Sequence, residues 1–162
     1  IVDYAHTPSS FNTIFPPIRD RAKGKIISVF GSGGNRDIQK RPKQGAIGAQ
    51  YSDIIILADE DPRDEDSVEL LEMIAEGCRS PYRFGISQGT ELRCDASASS
   101  LFIIPDRPQA IRKAFSLASK GDIVLLLGKA HENSIIYSDY TMPYDEITEA
   151  SKALEEIGFK EG

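Results

Sequence analysis

The chain has 162 residues, 40% hydrophobic and 27% charged, with 25 acidic against 19 basic side chains and a net charge of −6. That length suits one domain with a proper core, and the acidic balance argues against a nucleic acid or an anionic membrane as the main partner. No apolar run is long enough to span a bilayer, and no signal-peptide pattern opens the chain.

The two cysteines, Cys78 and Cys94, form no C-x-x-C pair and read as free thiols in a reducing cytoplasm. Because the sequence starts at Ile1, without Met and directly on a motif, it is expected to be a piece of a longer protein, with processing as the alternative origin of such a start. Ile1-Val2 reads as a strand end, followed by a polar turn through Asp3, Tyr4, Ala5 and His6. Thr7 suits the N-cap of a helix with Pro8 in its first turn, and Pro16-Pro17 is expected to break that helix after about Phe15. A histidine near a turn, such as His6, is more often a hydrogen-bond partner than a functional group.

Ile26 to Phe30 is a short apolar run that ends abruptly in Gly31-Ser32-Gly33-Gly34-Asn35-Arg36-Asp37. The pattern predicts a buried strand, a tight loop, and a helix from about Ile38 to Tyr51. Glycines here let backbone N–H groups approach an anion or a substrate, though a plain glycine turn would look the same. The loop is neither G-x-G-x-x-G, since Arg36 takes the third glycine's place, nor a P-loop, since no Lys-Ser or Lys-Thr follows.

Ile54 to Leu57 is the second buried strand, and it runs into Asp59-Glu60-Asp61-Pro62-Arg63-Asp64-Glu65-Asp66. Acids before a helix suit its dipole, and a helix is expected from Ser67 to Glu76. The arginine, however, is embedded in the cluster where α/β proteins place ligands. From Gly77 to Ser100 the pattern weakens into a surface excursion, with one short strand predicted at Tyr82 to Phe84.

Leu101 to Ile104 is the next strand. Asp106 then caps a helix over Pro108 to Ser119, with Ala110, Ile111, Ala114, Phe115 and Ala118 inward and Gly121 at its end. Asp122 to Leu127 is the most apolar strand and is expected at the sheet centre. It leads into Gly128-Lys129-Ala130-His131-Glu132, which is not H-E-x-x-H, so no metal site is indicated. Ile135 to Tyr140 reads as a late antiparallel edge strand. Tyr144 to Ile157 closes the chain as a helix with Ile147, Ala150, Ala153, Leu154 and Ile157 inward. The alternation predicts an α/β fold: an open, mostly parallel, Rossmann-like sheet with helices on both faces and an antiparallel edge strand.

Taken jointly the loops are more specific than singly. Asp3-Tyr4-Ala5-His6-Thr7-Pro8, Gly31 to Asp37 with Lys40-Arg41-Pro42, Asp61-Pro62-Arg63, Asp106-Arg107 and Gly128 to Glu132 occur in one order. This series resembles the C-terminal domain of a Mur ligase, of the branch that adds the third residue of the peptidoglycan stem. The resemblance covers nearly the whole chain apart from 79–100. It implies that residues 1–162 form a single, amino-acid-bringing domain of a longer cytoplasmic enzyme of cell-wall synthesis.

The chemistry it implies is an ATP- and Mg2+-dependent amide ligation. The carboxylate of UDP-MurNAc-L-Ala-D-Glu is phosphorylated, and a diamino acid (diaminopimelate, lysine or ornithine) attacks the acyl phosphate. By the same resemblance Asp3, Tyr4 and His6 lie at the nucleotide, while Arg36, Glu60, Asp61, Arg63, Gly128 and Glu132 contact the diamino acid. Arginines suit carboxylates bidentately and a glutamate suits an ammonium. The P-loop and magnesium ligands would belong to a central domain and the UDP-sugar site to an N-terminal one. No catalytic residue is assigned here, and the piece alone is expected to be inactive. No nucleic acid or membrane partner is implied.

One departure concerns Glu60-Asp61-Pro62-Arg63, where the diaminopimelate-adding members resemble Asp-Asn-Pro-Arg. The extra acid favours a bare ammonium, the retained arginine a distal carboxylate, and the diamino acid stays open. Two rivals are a receiver-like signalling module, which leaves the Gly31 to Arg36 loop without a role, and another ligase of the superfamily such as a folylpolyglutamate synthetase. The Asp61-Pro62-Arg63 and Gly128-to-Glu132 pair speaks against the second.

Overall fold

The computed structural model describes residues 1–78, 92–93 and 100–159. The predicted strand at Tyr82 to Phe84, and most of the predicted excursion, lie outside these residues. The described strands are β1 (Val2–Asp3), β2 (Ile26–Phe30), β3 (Ile54–Leu57), β4 (Leu92–Arg93), β5 (Ser100–Ile103), β6 (Ile123–Leu127), β7 (Ser134–Ile136) and β8 (Thr141–Pro143). The helices are α1 (Pro8–Arg21), α2 (Lys40–Tyr51), α3 (Ser67–Gly77), α4 (Arg107–Leu117) and α5 (Glu146–Glu156). One sheet runs in the order β1-β6-β2-β3-β5-β4, parallel except for β4 on β5, and β7 and β8 form a separate antiparallel pair.

Alternation along the strands divides the core in two. Ile26, Phe30, Ile55, Leu57, Leu101, Ile103, Leu125 and Leu127 face one side and pack with Phe11 and Phe15 of α1, Ala49 of α2 and Leu70, Leu71 and Ile74 of α3. Ile27, Val29, Ile54, Ile56, Phe102 and Leu126 face the other, against Ala110, Ile111 and Ala114 of α4 and Ala150 and Ala153 of α5. Helices cover both faces, as strands buried on both sides require.

The chain leaves β2 towards β3 and β5 on one side and returns to β6 on the other. The β6–β2 boundary is therefore the topological switch point, where a crevice opens at the strands' C-terminal ends.

Several elements depart from the sequence expectation. Helix α1 runs through Pro16 and Pro17 to Arg21. The carbonyls these prolines deprive of a donor belong to Asn12 and Thr13, both exposed, while Phe11 and Phe15 anchor the inner face. Helix α2 starts at Lys40, leaving Ile38 exposed. Helix α4 ends at Leu117 with Ala118 as its cap, and Gly121 lies in the following turn. Strand β6 is interior but next to the short edge strand β1, so β2 and β3 hold the centre.

The antiparallel edge of the main sheet is β4; the 135–140 segment instead contributes β7 to the separate pair. Ile147 of α5 and its C-cap Ile157 are exposed and Glu146 is fully buried, so the helix is rotated from the orientation its apolar residues suggest.

Candidate functional site

Loops after β1, β2, β3 and β6 converge on one cleft of about 280 Å³ at the switch point. It is lined by Tyr4, His6 and Thr7, by Gly33, Arg36 and Lys40, by Glu60, Asp61 and Arg63, and by Gly128 and Glu132. Its volume falls just under the roughly 300–1,000 Å³ of drug-sized pockets, which suits one small polar molecule.

The first loop is fixed from within. The Asp3 carboxylate accepts the Ala5 N–H at 2.8 Å, the His6 ring Nδ1 lies 2.9 Å from the Tyr4 carbonyl, and Gln44 of α2 donates to the His6 carbonyl at 3.0 Å. Thr7 closes a reciprocal capping box with Ser10 at the start of α1. Tyr4 stands at the rim with its ring 4.7 Å from those of both His6 and His131. Partial desolvation, and then Glu132 beside it, push the Tyr4 hydroxyl above its ordinary range.

The second and third loops are laced together. Gly34 donates to the Asp61 carbonyl at 2.7 Å, and a Cβ at Gly34 would lie 1.8 Å from the Pro62 carbonyl oxygen, so only glycine allows this approach. Fully buried Arg41 donates two bonds, of 2.7 and 2.9 Å, to Glu65 and reaches the Gly33 carbonyl at 3.3 Å. Glu65 also accepts the Asn35 N–H at 2.6 Å, and these donors hold its carboxyl below the usual range.

The acidic run is thus not a uniform solvated face. Asp66 caps α3, Glu65 clamps Arg41, Asp61 meets Lys129, and buried Asp59 accepts from Ser67 at 2.9 Å and Tyr137 at 3.1 Å. Burial pushes Asp59 up to about 6 against the pull of Ser67, Tyr137 and Arg107.

Glu60 is 7% exposed and makes no side-chain hydrogen bond among the described residues. Burial raises its pKa, opposed by Arg107, Lys40, His6 and Lys129. Gly128, at φ +103°, passes so close that a Cβ there would sit 1.9 Å from a Glu60 carboxylate oxygen. Arg63 occupies the left-handed region at φ +55°, held by its N–H donating to the Ile136 carbonyl at 2.9 Å. Its buried Nε has no partner, and among the described residues its guanidinium meets no carboxylate. A non-glycine residue in this region costs on the order of 1–2 kcal/mol, and such strain collects at functional sites.

Behind the cleft, Lys129 is fully buried and bridges Asp61 at 2.9 Å and Glu132 at 2.5 Å. Deeper still, Arg107 and Glu146 form a pair with no exposure on either side. Arg107 also donates to the carbonyls of Leu127 (2.7 Å) and Asp59 (3.3 Å), so it ties together the ends of β6 and β3 from which the cleft loops leave. Burial works against its charge, but Glu146 more than offsets this and keeps the guanidinium protonated.

Of the residues read from the sequence, Tyr4, His6, Arg36, Glu60, Asp61, Arg63, Gly128 and Glu132 all line this one cleft, while Asp3 does not and serves the turn. Tyr4 and His6, two of the three residues assigned to a nucleotide, therefore share one space with those assigned to an amino acid. Thr7, Gly33 and Lys40 of the lining, and Lys129 and Arg107 behind it, were assigned to no ligand. Lys40, Lys129 and Arg107 stood inside the motif series, but a charge in a motif does not reveal that it will be buried.

Cations (Arg36, Lys40, Arg63) and carboxylates (Glu60, Asp61, Glu132) share the cleft, an arrangement that complements a molecule carrying both ammonium and carboxylate groups. Among the described residues no group of three or more His, Cys, Asp or Glu side chains is placed to hold a metal ion, and no helix is long and apolar enough to cross a membrane.

A family profile described as "Mur ligase, glutamate ligase domain" matches residues 1–130. The chain is 64% identical over 157 residues to the UDP-N-acetylmuramyl-tripeptide synthetase of Treponema denticola, covering 95% of this chain and 27% of that protein. It is 38% identical over 156 residues to the UDP-N-acetylmuramoyl-L-alanyl-D-glutamate--2,6-diaminopimelate ligase of Caulobacter vibrioides, covering 96% and 28%. A solved structure of a UDP-N-acetylmuramoyl-L-alanyl-D-glutamate--2,6-diaminopimelate ligase superposes with a TM-score of 0.79 at 27% identity, covering 98% of this chain and 29% of that one. The chain thus spans under a third of the length of these relatives.

Proposed function

The chain belongs to the Mur ligase family, as its glutamate ligase domain, and we propose that it is the C-terminal, amino-acid-bringing part of an ATP-dependent peptidoglycan-precursor ligase. In this reading it presents a diamino acid to the acyl phosphate of UDP-MurNAc-L-Ala-D-Glu in the cytoplasm. The observation that carries the reading is the Arg63 guanidinium, without a carboxylate partner among the described residues and held in a strained backbone, facing a cleft that also holds carboxylates. A cation with no partner gains most from an incoming carboxylate, and Arg63 and Arg36 offer planar forks for one. Glu60 and Glu132 offer acceptors for an ammonium. This chain's part in the reaction is then to bind the amino acid, orient its amine and exclude water around it.

ATP with magnesium would supply the phosphoryl group that activates the dipeptide carboxylate. This chain offers a nucleotide only the aromatic rim of Tyr4, His6 and His131, with no P-loop sequence and, among the described residues, no metal-binding cluster. Both would be held mainly by other domains, and residues 1–162 would fold alone yet turn over no ATP. The relatives' names lend no support to a receiver module or to a folate-type ligase.

The test supplies the purified full-length gene product with ATP, Mg2+, UDP-MurNAc-L-Ala-D-Glu and, in turn, diaminopimelate, lysine and ornithine. ADP and a UDP-MurNAc-tripeptide are expected with at least one of them. Absence of product with all three would overturn the reading.

A further inference from the structure

The reading above leaves Lys129 without a role, although it is a fully buried charge directly behind the cleft. Its side chain is 1% exposed, against 15% for Asp61 and 34% for Glu132. It leaves the backbone between Gly128 at φ +103° and Ala130 at φ +31°. Its ammonium bonds one Asp61 oxygen at 2.9 Å and one Glu132 oxygen at 2.5 Å. That same Asp61 oxygen also accepts the Ile136 N–H at 2.9 Å, and the Asp61 carbonyl accepts the Gly34 N–H. The second Glu132 oxygen has the Tyr4 hydroxyl at 3.4 Å. Asp61 is therefore committed on several sides.

Charge arithmetic follows. Asp61 and Glu132 alone would present two negative charges on this wall, and Lys129 reduces them to one; Glu60, which also lines the cleft, is present equally with and without Lys129. A buried ammonium is tolerated only when paired, so the three groups form one unit whose geometry none can leave cheaply. Resting on the proposed amino-acid role of the cleft, we propose that Lys129 is a positioning residue that sets substrate choice. It neutralises the acid of the Asp61-Pro62-Arg63 turn and holds Glu132, so the wall offers one ammonium's worth of negative charge. With Lys129 in place, a ligand whose far end adds a carboxylate for Arg63 is not repelled. Without it, the wall doubles its charge and favours a far end that is an ammonium alone.

The test compares the full-length gene product with Lys129→Met, Asp61→Asn and Lys129→Met/Asp61→Asn. For each, kcat/KM is measured with diaminopimelate, lysine and ornithine at fixed ATP and UDP-MurNAc-L-Ala-D-Glu. An amino acid that is not turned over is ranked by its competitive inhibition constant. Thermal midpoints are recorded for all four proteins.

Lys129→Met should shift the diaminopimelate-to-lysine preference towards lysine by about tenfold, and Asp61→Asn should shift it the other way by about as much. The double variant should return within about threefold of the starting ratio, because one unit charge near contact in a half-screened site is worth that order. A ratio unchanged across the variants, with activity and midpoint falling together, would make Lys129 a brace and overturn the proposal. Should Lys129→Met fail to fold, Lys129→Gln, which keeps hydrogen-bond donors for Asp61 and Glu132 but removes the charge, decides by the same ratio. If the unmodified protein neither uses nor binds any of the three amino acids, the ligase reading itself falls, a result separate from an unchanged ratio.

Discussion

The buried Arg107–Glu146 pair makes a sharp prediction because its two halves fail differently. Arg107 donates to Glu146 through Nε at 2.9 Å and Nη2 at 2.6 Å, and Tyr144 also donates to Glu146. Replacing Glu146 with leucine strands a guanidinium that cannot lose its proton, with the Leu127 and Asp59 carbonyls and the neutral Tyr144 hydroxyl left beside it but no carboxylate bonded to it among the described residues. Replacing Arg107 with methionine strands a carboxylate, which can take up a proton and keep its Tyr144 bond. Removing one partner of a buried pair costs about 3–5 kcal/mol, and Glu146→Leu should lie at the upper end.

For a domain of this size each kcal/mol lowers Tm by about 2–4 °C, so the singles should lose roughly 6–20 °C. The double variant Arg107→Met/Glu146→Leu removes both charges and should recover most of the loss. Urea unfolding of the four proteins, followed by circular dichroism, measures the cycle. A Glu146→Leu loss under about 1 kcal/mol, or a double variant worse than both singles, would refute the account of the pair as a clasp.

Asp59 should make stability depend on pH. Its folded pKa of about 6 lies above the unfolded 3.8, so the native state binds the extra proton and stability falls as pH rises from about 4 through 6. Asp59→Asn should thus gain on the wild type over that window by about 1–3 kcal/mol, and a flat difference between pH 4 and 7 in urea titrations would contradict it. Gly128→Ala must adopt a positive φ and displace the Glu60 carboxylate, so a loss of about 1–3 kcal/mol is expected; a neutral result in thermal melts would show that the loop gives way freely. In the full-length gene product, Arg63→Ala and Glu132→Gln should each lower kcat/KM for the amino acid by roughly thirty- to a thousandfold. Arg63→Lys should fail to rescue, and UDP-MurNAc-L-Ala-D-Glu kinetics should barely move; unchanged amino-acid KM values in both variants would make the pair structural.

The sheet was legible in the sequence because its strands are buried on both faces. A run such as Ile26 to Phe30 can be little else when it stops at three glycines within four residues. The cleft was legible for a related reason: in a parallel sheet the loops after the strands share one edge, so four motifs far apart in sequence had to meet. What a sequence hides is the destination of a charge. Nothing local to Lys129, Arg107 or Glu146 announces burial, because their partners arrive from elements 68, 39 and 39 positions away. The rotation of α5 has the same cause. Ile147 looked inward by periodicity, but Glu146 could be buried once Arg107 was there to receive it, and a buried bidentate pair fixes a helix face more strongly than one isoleucine.

The two positive-φ residues of the laced loops show where local rules give out. Asn35 at φ +53° is a tolerated choice, since asparagine visits this region readily and its side chain reaches Asp64 at 2.8 Å. Arg63 at φ +55° has no such excuse, and glycine would relieve the strain at once. Glycine would also remove the guanidinium. The backbone is held there from two sides: Arg63 donates to Ile136, and the Gly33–Gly34 turn bonds Asp61 just before it. Gly34 in turn can pass the Pro62 carbonyl only because it lacks a Cβ. The glycines of the second loop therefore let the third loop hold an arginine where an arginine is strained. The position is explained by what the side chain can bind, not by the turn it sits in.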